Sequence, residues 1–238
     1  MDEEKRADLS RVAALVAGTA AVAWAVSYAF DAERAGEPRG LVALGSTYAV
    51  LAAGSVAYAA RARAKRLKAW LVPATGDLTR GFFSALLLFG CAFAFVKLLT
   101  LHGSPREAWM ARIYLQLGDP TPLRKHEVWV GLGIAVAATL EEIVWRGGAK
   151  TLLDDLLGVR TGWIAAGVLY ALAHVPTIWA LADTTVGPNP IVVVGALGAG
   201  LVWSGMTRVF GRLAPSVVSH ALFDWAVLIM FRLWGPSV

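Results

Sequence analysis

Residues 128 to 150 read VWVGLGIAVAATLEEIVWRGGAK. The stretch opens as an unbroken apolar run, long enough with its continuation to cross a bilayer, which takes about 20 residues for about 30 Å of hydrocarbon. Three charges then interrupt it, at Glu141, Glu142 and Arg146. A span has no structural need for them, and each costs roughly 2.5–3.5 kcal/mol on insertion scales.

The rest of the chain repeats the apolar theme. Of 238 residues, 57% are hydrophobic and only 16% charged, against about 25% charged in a soluble domain. The mean hydropathy is +0.59. Seven apolar blocks stand out: Leu9–Phe30, Leu41–Ala60, Gly81–Thr100, Val128–Ile143 and beyond, Gly162–Ala182, Ile191–Phe210 and Leu213–Trp234. Little chain remains for a soluble domain. Lipid admits only helices and closed barrels, and these blocks are too long for barrel strands. The expected fold is all-α, a polytopic transmembrane helical bundle of about seven spans. The first block is read as a retained span, because its apolar stretch exceeds a signal-peptide core and no small-x-small cleavage site follows.

The net charge of +5 is spread over loops, so nucleic acid is not an expected partner; the lipid bilayer is. The lone Cys91 gives no disulfide framework. Placing the basic cluster RARAKRLKAW (61–70) in the cytoplasm puts 14 of the 22 Lys and Arg inside and 8 outside. The N-terminus is then cytoplasmic. The loop DTTVGPNP (183–190) has no Lys or Arg, which suits the outer side.

Three regions follow: three N-terminal spans over 1–100, a connector over 101–127, and a four-span core over 128–238. Within the connector, EAWMARIYLQL suggests an interfacial helix with Trp109 and Tyr114 at headgroup depth. Most of the ten tryptophans are expected to be interfacial anchors.

The first three spans carry few charges, and every suspicious polar residue falls in the last region. Glu142 and Arg146 are spaced i, i+4 and can pair. Glu141 lies about 100° around the helix and points elsewhere. Without Arg146 as partner it is a candidate proton acceptor. The fifth span contributes Tyr170 and His174, also i, i+4, with Pro176 loosening the helix just after. The seventh contributes His220 and Asp224 at the same spacing. Four charged groups at this depth would cost on the order of 10 kcal/mol before pairing. His102 and His126 lie in the connector and take no role. HEVWV lacks the second His of a zincin, VWSGM has Val202 where a rhomboid-type serine site has glycine, and LQLGDP is a loop.

Three motifs in order, EEIVWR (141–146), YALAH (170–174) and HALFD (220–224), resemble the CPBP family, the CAAX prenyl proteases and bacteriocin-processing enzymes that include the Ras-converting enzyme. The resemblance covers about 128–234. It implies an intramembrane endopeptidase acting on a membrane-associated protein or peptide, without a cofactor. Carried over, Glu141 is the general base, His174 holds or shares the water, and His220 stabilises the electrophile. Glu142 and Arg146 brace the helix. Tyr170 stands where phenylalanine is usual, and Asp224 where asparagine is common. An ionised Asp cannot donate to an oxyanion. Asp224 therefore acts as a neutral acid, orients His220, or binds metal. The metal alternative is a zinc site of His174, His220 and Asp224.

The rival from another class is a proton-coupled transporter, which also uses intramembrane Glu, His and Asp. It would carry inverted repeats or paired broken helices, and neither is evident. Prenylated CAAX proteins, bacteriocin leaders and C-terminal sorting tags all remain open as substrates. The Ala, Arg and Trp usage points to a GC-rich bacterium and its inner membrane, where prenylated proteins are scarce.

Overall fold

A computed structural model describes residues 3–62 and 64–229. Arg63 of the basic cluster and residues 230–238, with the end of the last apolar block, lie outside the described residues. Helices account for nearly all secondary structure. Among the described residues the only β pairing is the isolated bridge between Asp183 and Gly187. Among the described residues, six helices are long and apolar enough to cross a membrane: Glu3–Ala29, Pro38–Arg61, Asp77–Leu99, Glu127–Leu157, Val159–Ala180 and Ile191–Phe210. The last helix is described over Ala214–Ile229. The protein is an integral membrane helical bundle.

The elements run α1 (Glu3–Ala29), α2 (Pro38–Ala62), α3 (Ala64–Leu71), α4 (Asp77–Leu99), α5 (Pro105–Gln116), α6 (Pro120–Lys125) and α7 (Glu127–Glu142). A π-helical segment, Ile143–Ala149, joins α7 directly to α8 (Lys150–Leu157). Then come α9 (Val159–Ala173), α10 (Thr177–Ala180), α11 (Ile191–Phe210) and α12 (Ala214–Ile229). In the core, α9 packs on α11 and α8, while α12 packs between α4 and α7. The first helix packs on α2 and α9, and α2 lies along the π-helical segment.

The distribution of polarity is inverted relative to a soluble protein. Leu41, Val42, Phe83, Leu87, Val136 and Val209 are exposed, whereas Glu142, Arg146 and His220 are buried. Burying apolar groups gains little when the solvent is lipid, so the interior is free to hold polar groups that satisfy one another. Small residues let the helices approach closely enough for that. A Cβ on Gly200 would lie 2.9 Å from Tyr170 Cδ1, and one on Gly81 would lie 2.5 Å from Val218 Cβ. Neither crossing, α11 on α9 or α4 on α12, tolerates a larger residue without movement.

The connector is packed against the rest of the protein. The helix in it forms, as α5, but Tyr114 is buried and Trp109 half-buried. Its contacts explain why. Gln116 Nε2 donates to the carbonyls of Ala29 (3.3 Å) and Asp31 (3.0 Å) at the end of α1. Trp109 Nε1 donates to Gly187 O at 3.2 Å, and the buried Asn189 Nδ2 returns a bond to Trp109 O at 3.0 Å. The connector is thus laced to two other segments. The tryptophans divide similarly. Trp24, Trp129 and Trp179 are exposed, as anchors would be, but Trp70, Trp145 and Trp203 are core residues. Each of the three has a specific partner surface that an interfacial position would not supply.

Candidate active site

The site begins with the π-helical segment. At Ile143 the chain changes to a wider turn that carries Trp145 and Arg146, and such bulges recur at functional sites. Gly147 and Gly148 sit in this turn close against neighbours, so that a side chain at either would require movement. A Cβ on Gly148 would meet Ser55 Oγ of α2 at 2.4 Å, and one on Gly147 would meet the ring of Trp70 at 3.1 Å. The segment is therefore clamped by α2 and α3.

Glu142 and Arg146 pair as their spacing suggests, Arg146 Nη1 to Glu142 Oε1 at 3.0 Å, with both side chains fully buried. Arg146 is held further by Nη2 donating to Gly200 O (3.3 Å), and its guanidinium lies over the rings of Tyr170 (4.5 Å) and Trp203 (5.2 Å). Glu142 has a second partner that the sequence did not suggest, His220 Nδ1 at 3.0 Å. This carboxylate ties α7 to α12 as well as bracing its own helix.

His220 is sandwiched. Trp203 stacks on its ring, centroids 3.8 Å apart and planes 20° off parallel. Trp203 is in turn fixed by Nε1 donating to Ser219 Oγ (3.0 Å), which donates to Ser84 Oγ of α4 (3.0 Å). The other ring nitrogen, Nε2, faces Asp224 Oδ2 at 3.3 Å. Each nitrogen of His220 is thus placed to donate to a carboxylate.

His174 terminates α9. Its N–H bonds back to Ala171 O, and its Nδ1 lies 2.9 Å from Tyr170 O. A carbonyl only accepts, so Nδ1 carries the proton and a neutral ring keeps Nε2 as its free lone pair. Pro176 has the effect anticipated for it: the helix stops at Ala173 and resumes at Thr177 as α10. Glu141 is half-buried and is not left alone, because Tyr170 donates its hydroxyl to Glu141 Oε2 at 3.2 Å. The hydroxyl that distinguishes Tyr170 from phenylalanine lands on that carboxylate.

Glu141, Tyr170, His174, His220 and Asp224 together line one cavity of about 230 Å³. Every residue singled out from the sequence is at this cavity or, for Glu142 and Arg146, directly behind it. Two residues were missed. Trp203 carries no polar motif and reads as one more apolar position of its span. Tyr48 of α2 also lines the cavity, from outside the three motifs.

Residues 125–226 match the family model of the type II CAAX prenyl endopeptidase Rce1-like proteins. That stretch is similar to the Rce1-like endopeptidases. The match spans all three motifs of the Rce1-like domain, from the glutamate pair to Asp224, and leaves α1 to α5 outside it. No curated protein and no solved structure matches the chain.

The zinc alternative would draw on His174, His220 and Asp224, all of which line the cavity. His220 Nδ1 faces Glu142 and Nε2 faces Asp224, so as a zinc ligand it would use Nε2 in its deprotonated form. Among the described residues no group of three or more His, Cys, Asp or Glu is arranged to hold a metal ion.

Proposed function

We propose that this chain is an endopeptidase that cleaves a membrane-associated protein or peptide with a water activated by Glu141 and His174. The observation that carries the reading is the convergence of Glu141, His174, His220 and Asp224, from three separate segments, on one small cavity.

The chemistry follows from which groups can accept and which can donate. A water between Glu141 and His174 Nε2 donates both protons to acceptors, which leaves an oxygen lone pair for the carbonyl carbon. Glu141 takes the proton as the C–O bond forms and later delivers it to the leaving amine. The developing oxyanion needs a donor in the same cavity. His220 Nε2–H, which Asp224 orients before substrate arrives, is that donor once the substrate carbonyl displaces the Asp224 carboxylate from it. Of the three roles open to Asp224, the 3.3 Å contact supports orienting His220. Glu142, Arg146 and Trp203 hold the imidazole rigid. A preorganised donor costs no rearrangement during the reaction.

The test compares membrane-protein cleavage products from cells making the wild-type chain and the Glu141→Ala variant at equal levels. Products present only with the wild type support the reading. Identical product sets contradict it.

A further inference from the structure

Tyr48 sits in the middle of α2, far from the matched domain in sequence, yet it is buried at 3% exposure against Trp145 of the EEIVWR motif. Trp145 Nε1 donates to the Tyr48 hydroxyl at 3.2 Å. An indole nitrogen can only donate. The phenol oxygen is therefore the acceptor in that bond, and its own proton is free to point elsewhere. Tyr48 and Glu141 line the same cavity.

A purely structural tyrosine would direct its hydroxyl to a backbone carbonyl or a bundle neighbour. This one takes its acceptor bond from Trp145 and stands on the wall of the cavity that Glu141 lines. Tyr170, from α9, already donates to Glu141 Oε2. The rings are mutually braced, with Tyr170 edge-on to Trp145 at 5.7 Å. The wall around Tyr48 is also N-terminal: Val26 of α1, Phe30 just after it and Leu44 of α2 line the cavity beside it.

We infer that Tyr48 is a positioning residue for Glu141: held by Trp145, its phenol donates to the carboxylate opposite Tyr170 and sets the direction in which Glu141 accepts the proton of the attacking water. This rests on the reading of Glu141 as the base. It gives the N-terminal helices a part in the reaction, because α1 and α2 close the chamber and supply one of two phenols on the base. Neither phenol is a nucleophile. Two donors fix both the rotation of the carboxylate and the lone pair that remains for water.

The experiment uses the full chain and the cleavage site that distinguishes wild type from Glu141→Gln in cell membranes, rebuilt as a peptide. Turnover, KM and thermal stability are measured for wild type, Y48F, Y170F, Y48F/Y170F and E141Q. Y48F is expected to lose about tenfold in kcat, the worth of one hydrogen bond to a charged group, with KM within about twofold of wild type. The double variant should lose more than the product of the single losses, because either phenol alone still orients the carboxylate.

A Tyr48 that only satisfied the Trp145 N–H would lower thermal stability and leave kcat of the folded protein unchanged, and that result overturns the proposal. Should Y48F not accumulate, 3,5-difluorotyrosine at position 48 keeps the ring and hydroxyl but changes donor strength. A shifted kcat supports the role, and wild-type kcat overturns it. Wild-type turnover by E141Q would remove the underlying reading itself, a different outcome from normal turnover by Y48F beside an inactive E141Q.

Discussion

Arg146→Ala removes the cation from the most deeply buried ion pair at the site. In the wild type, Arg146 meets Glu142 at 3.0 Å, donates to Gly200 O, and fills the space between the Tyr170 and Trp203 rings, at 1% exposure. Losing one partner of such a pair costs about 3–5 kcal/mol, because the remaining charge is left without compensation. Here Glu142 keeps the His220 contact at 3.0 Å, so the lower end, about 3 kcal/mol, is expected. At about 2–4 °C per kcal/mol for a chain of this size, the midpoint should fall by roughly 6–12 °C. The assay is thermal unfolding of the purified protein in detergent, with folded yield measured alongside. Arg146→Met with Glu142→Gln, which removes both charges, should recover part of the loss. An Arg146→Ala protein that melts within about 2 °C of wild type would refute the reasoning, and with it the claim that Glu142 depends on Arg146.

Three further outcomes are expected. Asp224→Asn should keep substantial activity, since asparagine can still accept from His220 Nε2 across the 3.3 Å contact; loss of activity together with loss of bound zinc would favour the metal alternative. Gly200→Ala should lower both stability and activity, because the added Cβ meets Tyr170 at 2.9 Å and approaches Arg146 Nη2 at 3.5 Å; a thermal melt with a kinetic assay checks it. Backbone N–H groups of Val186 and Thr185 hold the Asp183 carboxyl below its ordinary range. Its contribution to the 183–187 turn is therefore present above the ordinary carboxylate pKa and is lost as pH falls through the depressed value. Limited proteolysis across that range should show the turn opening at low pH in wild type and already open at neutral pH in Asp183→Ala.

The spans were legible because lipid imposes a length and a composition that survive without any knowledge of packing. The polar site was legible for the complementary reason: a charge in a span is costly, so Glu141, Glu142, Arg146, His220 and Asp224 stood out from their surroundings. The i, i+4 spacing also fixed which side chains could meet along one helix, as Glu142 with Arg146 and His220 with Asp224 do. Contacts between helices had no such signature. The Glu142–His220 bond joins residues 78 positions apart, and the Tyr48–Trp145 bond joins residues 97 apart. Aromatic residues in apolar runs carry no visible cost, so Trp203 and Tyr48 looked like filler, and Trp145 like an anchor. The π-helical turn was hidden as well, because EEIVWRGGAK satisfies α-helical spacing, and the constraint that shapes it comes from Ser55 and Trp70 on neighbouring elements.

The central claim is that Glu141 is the base, and one measurement addresses it most directly. Purified wild type and Glu141→Gln, reconstituted in lipid, are given the peptide spanning the cleavage site found in membranes, and turnover is followed with thermal stability as the control for folding. General base catalysis contributes about 10²–10⁴-fold. The Gln variant, nearly the same shape and still able to accept from Tyr170, is predicted to melt like wild type and to lose turnover by at least 10²-fold. Turnover at the wild-type rate by a folded Gln variant would contradict the account.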